Sequence, residues 1–164
     1  MYKKYIGAFQ CERFYLSNMY LHQIHFNMEG YGFECDGLFY PSSENLYQAL
    51  KCIHKEDRIK FTKCSPMESK KLGRKLVAIR RDWDEVKDNA MKLVLALKFD
   101  NPTLREKLTN ESLPIEELNN WGDTYWGKCF DEKQQKWIGE DKLGKFLTQE
   151  RNCKSIIKMT CIVE

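Results

Sequence analysis

The sequence predicts an α+β fold, mainly helical, in a single compact domain with a small N-terminal antiparallel β part and about five helices. Three observations predict it. The 164 residues are 42% hydrophobic with no repeat, linker or low-complexity break, which fits one globular domain over residues 1–164. The first forty residues alternate short aromatic and β-branched stretches with turn residues, the pattern of a small antiparallel sheet. From Ser42 onward apolar residues recur at helical spacing behind recognisable caps.

The expected strands are Tyr5 to Phe9, Ile24 to Met28 and Gly32 to Tyr40, separated by Asn27, Glu29-Gly30 and Asp36-Gly37. Asp-Gly is a strong signal for a tight hairpin. The first helix follows Pro41 and a cap at Ser42 or Ser43, with Leu46, Leu50 and Ile53 on one face over about three turns. Ser65-Pro66-Met67-Glu68 is a capping box with Pro at the first helical position, and Leu72, Leu76 and Ile79 trace the face behind it. Gly73 either weakens this helix or lets another element approach closely. Asp82 to Glu85 is a second box-like cap. Val86, Ala90, Leu93 and Leu97 then form a central core helix that must stop near Phe99, because Asn101 precedes Pro102. Asn101-Pro102 starts a shorter helix with Leu104 and Leu108, and Asp141 precedes a last one with Leu143, Phe146 and Leu147. Between these two, Trp121 to Gly139 has no period and reads as a long loop of the kind that carries function.

Several function classes are excluded. The longest run free of Asp, Glu, Lys and Arg, Phe14 to Met28, is broken by polar residues and falls short of the ~20 apolar residues that span a bilayer. The segment MYKKYIGAFQCERF lacks an unbroken apolar stretch and a small-residue cleavage site, so a cytoplasmic location and no membrane partner are expected. The seven cysteines contain no C-x-x-C pair and read as reduced structural thiols, and the three histidines lack clustered co-ligands. No metal is expected.

The net charge of +3 conceals an asymmetry. From Arg58 to Arg81 nine basic residues stand against Glu68, a local charge of +8 that leaves −5 for the rest. That segment is a candidate phosphate-facing surface, or else an ordinary solvated helix face.

On the helix from Glu44, residues Glu44, Gln48 and Lys51 fall within about 60° of one another at 100° per residue, opposite Leu46, Leu50 and Ile53. On geometry alone this carboxylate, amide and amine read as a solvated face with a stabilising Glu-to-Lys pair. The surrounding string, Tyr40 to Lys51 (YPSSENLYQALK), resembles the YPSxEHxYQAxK signature of the NADAR family of NAD- and ADP-ribose-associated proteins. Five further segments match that family's pattern in order: Phe14 to Tyr20 (FYLSNMY), Ser65 to Arg74 (SPMESKKLGR), Arg80 to Lys87 (RRDWDEVK), Asp123 to Gly127 (DTYWG) and Gly139 to Arg151 (GEDKLGKFLTQER). Asn45 stands where the family usually has His, Asp141 where Asn is usual, and Thr148 where Met is usual. If that His moves a proton or orients a ligand, Asn45 keeps hydrogen bonding but cannot titrate.

The resemblance implies hydrolysis of a bond between an anomeric ribose carbon and nitrogen, with no cofactor. The implied partners are an ADP-ribosylated guanine in a nucleotide or nucleic acid, or a phosphorylated ribosyl small molecule such as the phosphoribosyl-aminopyrimidine intermediates of riboflavin synthesis. A non-catalytic ADP-ribose or nucleotide-binding module is a third possibility, kept open by Asn45. Two routes are open: a carboxylate, Glu44 or Asp123, activates water, or a neutral lysine attacks the anomeric carbon and forms a Schiff base. The resemblance favours Lys51 as nucleophile and Glu44 as its acid/base partner, although a neighbouring Glu44 anion raises the Lys51 pKa unless burial or cations lower it. Lys70 and Arg74 are expected to bind phosphate. Tyr40, Tyr47, Trp83 and Trp126 are candidate stacking surfaces, and Ser17, Asn18, Gln48 and Gly127 complete the implied substrate-binding set. Asn18 reads equally as an Asx turn that only shapes its loop.

Overall fold

A computed structural model describes residues 9, 11–76 and 78–153 of the chain. Six helices and five strands are found among them: β1 (Leu21–His25), β2 (Phe39–Ser42), α1 (Ser43–Ala49), α2 (Lys55–Arg58), α3 (Pro66–Arg74), α4 (Trp83–Lys98), α5 (Pro102–Asn110), β3 (Leu118–Asn119), β4 (Lys128–Asp131), β5 (Lys136–Ile138) and α6 (Lys142–Asn152). Short 3-10 turns lie at Cys11–Leu16 and Ile59–Thr62. None of these helices is long and apolar enough to cross a membrane.

Helix α4 is the axis of the core. From Ala90 to Leu97 all but one side chain, Lys92, are buried, so this stretch is covered almost all round rather than along one stripe. Helices α1 and α6 and strand β1 pack against it, and α3 packs on α1. The capping box at Ser65 and Glu68 forms as the sequence predicts, with each residue bonding the other's backbone N–H. Asn101 caps α5 through the Leu104 N–H, also as predicted.

Other expectations are corrected. α1 ends at Ala49, so Lys51 and Ile53 lie beyond it. The chain tightens into a turn there, with Lys51 N–H donating to Gln48 O, Cys52 N–H to Ala49 O, and Arg80 N–H to Lys51 O. α3 likewise stops at Arg74, short of Leu76 and Ile79. The β part is narrower than predicted. β1 pairs antiparallel with β2 through Ile24↔Tyr40 and His25↔Phe39, and a long connection replaces the tight hairpin. Within it Gly37 has a positive φ of 72°, and the Asp36 carboxylate accepts from Leu38 N–H, the Tyr40 hydroxyl and Arg58. Of the stretch beginning at Tyr5, only Phe9 is among the described residues. The loop from Trp121 to Gly139 contains a hairpin, β4–β5, paired as Phe130↔Trp137, and β3 adds to it in parallel. Its alternation was too short to register as strand.

Candidate active site

A cleft of about 1080 Å³ opens between α1, α3, the start of α4, the Ser17–Met19 loop and the Glu117–Trp126 segment. Ser17, Asn18, Glu44, Tyr47, Gln48, Lys51, Lys70, Arg74, Trp83, Asp123 and Trp126 all line it. Two residues of the implied set do not. Tyr40 is fully buried in the core with its hydroxyl on Asp36 at 2.7 Å, so it offers no stacking face. Gly127 is a packing residue, because a Cβ there would lie 2.3 Å from Glu117 O.

The floor of the cleft is α1. Its polar stripe is not solvated: Glu44 and Gln48 are both buried, and Gln48 Nε2 donates to Glu44 Oε1 at 2.7 Å. The Glu44 N–H donates to Asn18 O at 3.0 Å, which ties the helix start to the Ser17–Met19 loop. That loop is held from behind by Lys98, fully buried, whose Nζ donates to Ser17 O at 2.9 Å. α3 approaches so closely that a Cβ on Gly73 would fall 1.9 Å from Gln48 Oε1 and 3.2 Å from Gln48 Cβ. Close approach is therefore the reason for this glycine. Gly73→Ala is expected to cost about 1–3 kcal/mol by overpacking and to lower turnover by displacing Gln48 from Glu44. Thermal unfolding and a rate assay check this, and a variant with wild-type rate would show that the Gln48–Glu44 bond has no bearing on the site.

Lys51 reaches the cleft from the turn after α1. Its Nζ lies 6.0 Å from the Tyr47 ring centroid and 5.7 Å from that of Trp83, and among the described residues it has no hydrogen-bond acceptor or carboxylate at ion-pair distance. Burial lowers its pKa, Arg74 and Lys70 push the same way, and Glu44 opposes them. The sequence-level conflict over this lysine is resolved in favour of burial. Burial also raises the pKa of Glu44, against its bond from Gln48 and the charges of Lys70, Lys51 and Arg74.

The aromatic wall is built on Tyr47, which meets Trp83 at 5.2 Å and Trp126 edge-on at 5.6 Å. The Asp123 Oδ1 accepts from Tyr125 N–H and Trp126 N–H at 3.0 and 2.9 Å, so it fixes the turn that places Trp126. Tyr125 in turn donates to Asp88, which also holds Lys142.

The +8 segment divides. Lys70, Lys71 and Arg74 line the cleft, whereas Arg58 is buried against Asp36 and Arg80 is forked by Asp82 on another face. Asn45 faces away from the cleft: its Nδ2 donates to Phe61 O at 2.8 Å and Cys64 O at 2.9 Å, and its Oδ1 accepts from Ser42. The replacement of the family's usual His is thus a change in how α1 is anchored. Asp141 sits at a positive φ of 52°, a conformation in which Asn and Asp are the favoured non-glycine residues. Cys35, Cys52, Cys64, Cys129 and Cys153 are free thiols. Among the described residues no three His, Cys, Asp or Glu side chains converge as metal ligands would.

The sequence missed Glu117 and Trp121. Trp121 is 55% exposed at the cleft mouth with Lys70 Nζ 5.9 Å from its ring, and an exposed indole in a concave site is the only signal it carries.

The NADAR domain model matches residues 5–153. The chain belongs to the NADAR family. It is 28% identical over 137 residues to N-glycosidase YbiA of Escherichia coli strain K12, covering 80% of this chain and 81% of that protein. An N-glycosidase of Nostoc punctiforme is 30% identical over 147 residues, covering 84% of this chain and 90% of the relative. The NMR structure of E. coli YbiA superimposes with a TM-score of 0.69 at 25% identity, over 90% of this chain and 81% of the other. The NADAR fold in this chain is therefore the mixed, mainly helical architecture of YbiA.

Proposed function

We propose that this NADAR chain is an enzyme that hydrolyses N-glycosidic bonds, removing ADP-ribose from guanine through a Schiff base on Lys51. The observation that carries this reading is the state of that amine. It is partly buried, shifted toward its neutral form, without a hydrogen-bond partner among the described residues and set beside the buried carboxyl of Glu44. A lysine so placed is prepared for attack on a carbonyl-like carbon rather than for ion pairing.

The rest of the cleft suits the substrate. Its volume is at the upper end of small-molecule pockets, enough for a sugar, a pyrophosphate and a planar base together. Lys70, Lys71 and Arg74 offer cations to the pyrophosphate, and Tyr47, Trp83, Trp126 and Trp121 offer faces to bases. Water then adds to the imine carbon and expels Lys51, with Glu44 moving protons.

The test offers wild-type protein three substrates: an ADP-ribosylated guanine mononucleotide, an oligonucleotide carrying that base, and a phosphoribosyl-aminopyrimidine. Release of free ADP-ribose with restored guanine is the expected result. Turnover of the pyrimidine alone would make this a hydrolase of riboflavin intermediates instead. Binding of ADP-ribose with no cleavage of any of the three would make it a binding module.

A further inference from the structure

Lys51 and Glu44 account for attack and for proton movement at the lysine, but a guanine nitrogen is a poor leaving group until it is protonated. Asp123 has one oxygen, Oδ1, committed to the Tyr125 and Trp126 amides, where it shapes the turn. Glu44 is engaged with Gln48 and faces Lys51, Lys70 and Arg74. The structure assigns the task to Glu117, as the acid that protonates the departing base nitrogen. This assignment rests on the N-glycosidase reading above.

Glu117 lines the cleft at the start of the Glu117–Trp126 segment. Its backbone is clamped on both sides: the N–H donates to Asp141 Oδ1 at 2.9 Å, and the carbonyl accepts from Lys128 N–H at 2.7 Å. Its side chain is pressed against Gly127, where a Cβ would come within 2.9 Å of Glu117 Cγ. The backbone and the start of the side chain are thus held in place, which narrows where the carboxyl can reach, as a proton donor to one atom requires. Its Oε2 is closed off from solvent and has no hydrogen-bond partner among the described residues, an arrangement that is costly for a carboxylate and tolerable for a carboxylic acid. Burial, with Asp141 and Asp123 nearby, holds its pKa up at about 7 against the opposing charge of Lys70. Lys70 acts on Glu44 as well, so the two carboxyls flank one cation in one cleft, with environments that differ. Burial raises both, but the Gln48 bond and the charges of Lys70, Lys51 and Arg74 favour the anion of Glu44 whereas Asp141 and Asp123 favour the acid of Glu117, a division that suits opposite proton roles.

The Lys51 Nζ lone pair bonds to C1 of the ribose, the C1–N bond breaks with its electron pair going to the base nitrogen, and that nitrogen takes the Glu117 proton. The new ammonium loses a proton to Glu44, which passes it to the ring oxygen as the C1–O bond breaks and the Schiff base forms. Water adds to C1, Lys51 departs, and Glu117 regains a proton from the water consumed.

The test separates base departure from imine formation. Wild type, Glu117→Gln and Lys51→Ala are each given the ADP-ribosylated guanine mononucleotide and, separately, free ADP-ribose with borohydride. Free ADP-ribose has no base to expel, so its imine with Lys51 needs no Glu117. Glu117→Gln should lose about 10²- to 10⁴-fold in turnover and still be trapped by ADP-ribose as wild type is, whereas Lys51→Ala should lose both. Wild-type turnover in Glu117→Gln would overturn the assignment. Loss of trapping along with turnover would also overturn it, since Glu117 would then only support the site. A wild type that is trapped by ADP-ribose but cleaves no N-glycoside would instead count against the reading of the overall activity, and the assignment would fall with it.

Discussion

Lys51→Ala is expected to reduce hydrolysis of the ADP-ribosylated base by roughly three orders of magnitude or more, the scale of loss on removing a covalent nucleophile. It should also abolish the adduct that borohydride traps. The fold should survive, because Lys51 Nζ makes no hydrogen bond or ion pair among the described residues and the turn that carries it is held by backbone bonds to Gln48 and Arg80. Lys51→Arg should be as inactive as alanine, since guanidinium stays protonated and cannot attack. The pH dependence has a defined direction: attack needs the neutral amine, and burial lowers the Lys51 pKa, so the rising limb of kcat should begin below the range of an ordinary lysine. Mass spectrometry of the reduced adduct places the modification. Full turnover by Lys51→Ala would leave water activation by a carboxylate as the route.

The second large effect concerns stability. Lys98 is fully buried with Ser17 O as its acceptor, and burial lowers its pKa from 10.5 to about 7. Between pH 7 and 10.5 the unfolded chain therefore holds a proton on Lys98 that the folded chain has released, and stability from this group rises with pH across that window. The slope is at most about 1.4 kcal/mol per pH unit. Below pH 7 both states are charged, and the cost of burying the cation is fully present. Lys98→Met keeps similar length and removes the charge. It should be more stable than wild type at pH 6, with an advantage that shrinks toward pH 10. Its turnover should nevertheless fall, because Lys98 holds the loop whose Asn18 carbonyl accepts from Glu44 N–H. Urea denaturation of both proteins at several pH values checks this, and a difference in stability that does not vary from pH 6 to 10 would exclude a titrating Lys98.

Much of the helical framework was legible because its signals are local. The box at Ser65 and Glu68, the Asn101 cap and the stop near Phe99 each need only a few adjacent residues. The solvated reading of the α1 stripe inverts the setting of Glu44 and Gln48, which are buried. It assumes one buried and one solvated face, whereas this helix is buried all round and its polar face is the cleft floor. In sequence Lys98 is one cation in the last turn of α4, and its partner, Ser17 O, lies 81 residues away. Glu117 stood beside Glu116 with nothing to mark it. What distinguishes it is contact with Asp141, Lys128 and Gly127, all later in the chain. Tyr40 was assigned to the cleft because it sits in the matched string, yet its position in β2 turns it to Asp36.

The cleft draws its walls from residues 17–19, 44–51, 67–91 and 117–126, which are distant along the chain. Closing the site requires loops of tens of residues to be shut, and that entropy is spent only when the last wall docks. Competence for chemistry is consequently a property of the finished tertiary arrangement, and a chain with all its helices formed but the Glu117 segment undocked would hold Lys51 without its proton donor.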